Sequence, residues 1–105
     1  MRPIPQALKQ EMSDDIFYKK CCIADETCGG RIEWHHNLIY AGRQVNEKWC
    51  ILPVCHSHHE REKNKDIGER LDYIMLCRAQ NDTLERFSKA NDYIAIKQRL
   101  CLKYQ

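Results

Sequence analysis

The sequence has no apolar run approaching the roughly 20 residues that span a bilayer. Its opening, Met1-Arg2-Pro3-Ile4-Pro5, has no apolar core of the kind a secretion signal carries. A soluble cytoplasmic protein with no membrane partner is therefore expected. The sequence also lacks an internal repeat and a low-complexity segment, and it has almost no charge bias. The 17 Lys and Arg against 15 Asp and Glu leave +2, too little for a purely electrostatic nucleic-acid coat but enough for a local basic groove. At 105 residues there is room for one core and no second. With 43% hydrophobic and 30% charged residues, the chain is not a disordered tail.

What it has is cysteine and histidine in clusters. Seven cysteines cannot all pair with one another, and without a secretion signal they are expected to stay reduced, so metal binding or plain burial must account for them. All five histidines lie between positions 35 and 59. Cys22 and Cys28 in a loop, with Cys55 and His58 where a strand runs into a helix, make two ligand pairs, the number a closed tetrahedral zinc site requires. Cys21 competes with Cys22 for the first position. Such a metal would also supply stability that a small core cannot. Cys50, Cys77 and Cys101 fall within apolar patterns and read as small hydrophobic residues.

Periodicity places these residues. Positions 1–20 read as an arm or short helix, and Cys21 to Gly30 has the composition of a tight loop. Arg31 to His36 alternates, putting Ile32, Trp34 and His36 on one face of a strand and Glu33 and His35 on the other. Trp49 to Val54 reads as the return strand of a hairpin with a long connection. Beyond Cys55 the pattern is helical. Asp66 with Glu69, and Asp82 with Glu85, resemble capping boxes. A last helix aligns Tyr93, Ile96, Leu100 and Tyr104. The expectation is a small α+β domain over 1–105, with an arm (1–20), a zinc-bound ββα core (21–65) and a helical tail (66–105).

The order of a histidine pair on one strand, a return strand ending in a zinc knuckle, and a helix bearing the next histidine resembles the HNH endonucleases of the ββα-metal class. The residues that carry the resemblance are Trp34-His35-His36 and Asn46 to His59, about the middle third of the chain. The wider stretch is similar to small phage-encoded HNH proteins, which implies a bacterial or phage-infected host cell. The resemblance implies that His36 is the general base that activates water, while His35 and His59 hold a catalytic divalent ion (Mg²⁺, Mn²⁺, Ni²⁺ or Zn²⁺) beside the structural zinc. Asn46 is the nearest substitute for the family's middle asparagine, since the position five before Cys55 is Cys50. Lys63 stands where some members carry a third metal-binding side chain, and His56 could complete the coordination instead. The implied reaction is hydrolysis of DNA, leaving a 5′-phosphate and a 3′-hydroxyl.

Arg43 is the favoured phosphate contact. Gln44, Lys48, Arg61, Lys63 and Lys65 are further donors, and the basic tail could extend the footprint. The alternative on the same zinc ligands is a nucleic-acid-binding module without catalysis.

Overall fold

The computed structural model describes residues 3–89 and 91–104. Met1, Arg2, Ala90 and Gln105, which the expected arm and tail include, lie outside the described residues. The fold is α+β, as expected, with two two-stranded sheets and five α-helices among the described residues. Strand β1 (Ile32–His36) pairs antiparallel with a later strand over Ile51–Cys55, with Trp34 opposite Pro53 and His36 opposite Ile51. The long connection holds two features too short to show in the sequence pattern. One is a two-residue ladder, β2 (Ile39–Tyr40) with β3 (Arg43–Gln44), and the other is a 3₁₀ turn at Lys48–Cys50. The return strand β4 therefore begins at Ile51 rather than Trp49.

Every residue of β4 is buried, because the strand lies between two small cores. Ile51 packs with Met12 and Tyr18 from the N-terminal part, which comprises helix α1 (Gln6–Ser13) and a 3₁₀ turn (Ile16–Lys19). Leu52 and Val54 point the other way, into the core built by helix α3 (Lys65–Cys77), α4 (Asn81–Glu85) and α5 (Tyr93–Lys103). Pro53 costs no ladder bond. Its carbonyl accepts from the Cys22 N–H at 2.8 Å, so its nitrogen also faces away from β1.

Helix α2 (His56–Glu60) follows β4 directly, with Cys55 as its N-cap residue. The cap of α3 differs from the expected capping box. Asn64 Oδ1 accepts from the N–H groups of Asp66 and Ile67, and the helix starts at Lys65. Asp82 likewise lies inside the first turn of α4 rather than capping it. Helix α5 is capped by Asp92 and buries Leu100, with Tyr93, Ile96 and Tyr104 packed at the edge of the core. Cys50 is a core residue as expected, whereas Cys77 and Cys101 sit at the outer edge of the α3–α5 contact. No helix among the described residues is long and apolar enough to cross a membrane.

Candidate metal centres

Two groups of side chains that could hold a metal ion draw on α2 and its flanks. The first is Cys21, Cys28, Cys55 and His58, whose ligand atoms all lie within 4.8 Å of one another. His58 is fully buried, with Nδ1 at 3.1 Å from the Cys55 sulfur, 3.5 Å from Cys21 and 3.6 Å from Cys28. Its Nε2 faces Asp25 Oδ1 at 3.1 Å and Thr27 Oγ1 at 3.0 Å. A carboxylate on one ring nitrogen leaves the other to the sulfurs, the arrangement by which proteins orient a ligating imidazole. Asp25 is fixed in turn by Thr27 and by Arg70, which hold its carboxyl well below the usual range.

The three thiols do not behave alike. Burial pushes Cys55 up, but the N–H groups of Gly29 and His58, the His58 ring and Cys21 outweigh it and bring the thiol down to about 6. Cys28 goes up to about 11, from burial first and then from its neighbours Cys21 and Cys55. One proton leaves this cluster easily and the next resists, because thiolates in contact repel unless a cation sits among them. The donor set of three sulfurs and one imidazole could hold a metal such as zinc, and its chemistry fits a closed tetrahedral site.

Cys22, expected as a ligand, is replaced by Cys21. The Cys22 N–H is bonded along the outer edge of β4, so neighbouring side chains point opposite ways. Cys21 is the one that meets His58, while Cys22 turns into the core, where burial, followed by Cys21, pushes its thiol up to about 12. The loop closes through Gly30 at φ +86°. A Cβ there would stand 2.8 Å from His56 Cβ, so glycine is required twice over.

The second group is His35, His59 and Glu62. His35 and His59 meet edge to face with ring centroids 5.1 Å apart. Glu62 Oε2 lies 2.9 Å from His35 Nδ1 and 3.3 Å from His59 Nε2. It is solvent-inaccessible, and neither approach has hydrogen-bond geometry. A buried carboxylate oxygen without a donor, aimed between two imidazole nitrogens, fits a cation.

The outer contacts set the protons on both rings. Asn37 gives its amide nitrogen to Asp72 at 3.0 Å, so its oxygen accepts from His35 Nε2–H at 3.0 Å and Nδ1 keeps its lone pair. Glu33 accepts from His59 Nδ1–H at 2.8 Å, which leaves Nε2 for the site. The bond from His59 keeps the Glu33 carboxyl below its ordinary range, with His56 and Arg31 adding to it against burial. Burial also holds His35 low, favouring the neutral ring a metal needs.

His36 is arranged by the same logic. The Asn46 Nδ2 donates to the Pro3 carbonyl at 2.9 Å, which turns the amide oxygen to His36 Nε2 at 2.7 Å. The Nε2 then carries the proton and Nδ1 keeps its lone pair. His35 and His36 leave a strand on opposite faces, yet both line one cleft of about 630 Å³ with His59, Glu62, Lys9 and Gln44.

No family model, curated protein or solved structure matches this chain. Its chemistry rests on its own residues, and several sequence expectations change. Arg43 is exposed on β3 and lines a neighbouring recess with Asn46 and Glu47, not the cleft. Lys48 is paired with Asp15 at 2.8 Å, and Arg61 braces Ser57 and Thr27 beside the Cys/His group. His56 has both ring nitrogens engaged, by Glu33 and Glu60, so it does not complete either group. In the tail, Arg86 pairs with Glu47, and Arg99 and Lys103 pair with Glu69. Lys63 is exposed and is not among the cleft residues. Glu62, Lys9 and the orienting residues Glu33 and Asn37 had no assigned role in the sequence reading.

Proposed function

We propose that this chain is an HNH-type, metal-dependent endonuclease that hydrolyses phosphodiester bonds in DNA. The observation that carries the reading is that His36, its Nε2 engaged by Asn46 so that Nδ1 keeps a lone pair, lines the same cleft as His35, His59 and Glu62, three side chains that could hold a metal ion. Three protein ligands leave coordination positions open, whereas four close a site. A divalent ion held there would neutralise the scissile phosphate and the oxygen that leaves.

The chain's own residues do the rest. Asn46 holds the His36 ring so that Nδ1 takes the proton of the attacking water, and a neutral imidazole suits that work near neutral pH. Lys9 and Gln44 on the cleft wall can meet the phosphate backbone. The Cys21, Cys28, Cys55 and His58 group takes the structural role, with zinc fixing the loop and the start of α2.

The test is nicking of supercoiled plasmid with Mg²⁺, Mn²⁺, Ni²⁺ or Zn²⁺. His36→Ala is expected to slow it by about 10²–10⁴-fold, with metal content unchanged. A variant that cuts as fast as its parent would falsify the assignment, and DNA binding without cleavage under every metal would make the chain a binding module.

A further inference from the structure

Three of the seven cysteines belong to the group with His58, and Cys22 and Cys50 are packed into the core. The two that remain face each other. We propose that Cys77 and Cys101 are a redox-sensitive pair that closes into a disulfide, stapling α3 to α5, when the protein meets a disulfide oxidant. Nothing in this depends on the nuclease reading.

The pair is held in register from both sides. Helix α3 presents Glu69, Tyr73 and Cys77 at four-residue intervals, hence on one face. Against them α5 runs antiparallel. Glu69 bonds Lys103 and Tyr104, Tyr73 stacks on Tyr104 with centroids 5.1 Å apart, and Cys77 meets Cys101. Beyond the cysteines, Lys97 Nζ donates to the Ala79 carbonyl at 2.8 Å. The sulfurs are 3.8 Å apart, so a bond of about 2.05 Å asks them to move together by roughly 1.8 Å. Cys77 is exposed, which gives an oxidant access.

The chemistry is two thiol exchanges. Cys77 loses its proton to solvent, and its thiolate attacks one sulfur of a small disulfide such as oxidised glutathione, expelling one glutathione thiolate. Cys101, deprotonated in turn, attacks the Cys77 sulfur of the mixed disulfide and expels the second. Two protein thiols are oxidised and one glutathione disulfide is reduced to two glutathiones. The closed loop restricts the unfolded chain and keeps α5 from leaving α3.

The full-length protein is treated with oxidised glutathione, followed by peptide mapping and thermal melts. The expected product is a Cys77–Cys101 linked peptide, a Tm raised by roughly 10 °C, and reversal by reductant. Cys77→Ser and Cys101→Ser should each melt like the reduced parent and lose the oxidant-dependent rise. A stable glutathione adduct on Cys77 with Cys101 still free, linkage of Cys77 to another cysteine, or a rise that persists in both variants would overturn the proposal.

Discussion

The two side-chain groups beside α2 differ in almost every physical respect, although adjacent residues of one short helix serve them. His58 turns inward to three sulfurs and is fully buried, and His59 turns outward to His35, Glu33 and Glu62 and is about one-third exposed. Successive residues on a helix are separated by about 100°, so one turn of backbone feeds a closed site and an open one. The closed group draws its ligands from the 21–28 loop and from the β4–α2 junction, tying distant parts of the chain together. The open group shares that junction: Cys55 caps α2, and His56 and His59 on the same helix both meet Glu33 of β1. On the proposed reading, the closed centre controls folding and the open one controls chemistry.

The sharpest way to break this contrast is to remove a sulfur. Cys55→Ala should lose one metal ion per chain and about 3 kcal/mol or more of stability, read by elemental analysis and thermal melts. Cys21→Ser should do the same. Cys22→Ser should keep the ion and lose only about 1–2 kcal/mol, the cost of a hydroxyl in an apolar site. If Cys22→Ser released the ion while Cys21→Ser kept it, the assignment of the loop would be reversed.

A smaller effect separates the open group from the closed one. On the proposed nuclease reading, Glu62→Gln should raise the Mn²⁺ concentration needed for half-maximal nicking by about 10–100-fold, with melting close to that of the parent and the metal content of the Cys/His group unchanged. Lys63→Ala, one position along, should leave both readings unchanged. Equal responses from the two variants would remove Glu62 from the site.

Glu62 also shows where sequence spacing stops being informative. A ligand one helical turn after His59 falls on position 63, but α2 ends at Glu60 and Arg61 leaves helical geometry, so the carboxylate of Glu62 swings back instead. The hairpin, the Cys55–His58 pair and the order of the histidines were legible because they follow alternation along β1 and a three-residue helix step. Cys21 against Cys22 was not, since the choice hangs on a bond between the Cys22 N–H and the Pro53 carbonyl, far away in the chain. Asn46 was legible only as a residue type. That its oxygen faces His36 follows from Pro3, 43 positions earlier, taking the nitrogen. Glu33 could have been found, because alternation puts it on the His35 face.

The mildest effect lies outside both groups. Glu69 clamps α3 to α5 and faces Lys103, Tyr104 and Arg99, with Asp72 the nearby like charge. The bonds from Lys103 and Tyr104 hold its carboxyl below the ordinary value of 4.5 despite burial. A depressed carboxyl favours the folded state when ionised, so its contribution is complete above the unfolded value and drains away as pH falls through the folded one. The melting temperature should therefore drop as pH goes below 4.5, and Glu69→Gln should flatten that drop while melting lower near neutrality. The metal groups report separately, since protons compete with the ion at sulfur and imidazole. Melts of the parent and Glu69→Gln are thus compared at equal metal content, and identical acid profiles would show that the α3–α5 contact draws nothing from this carboxylate.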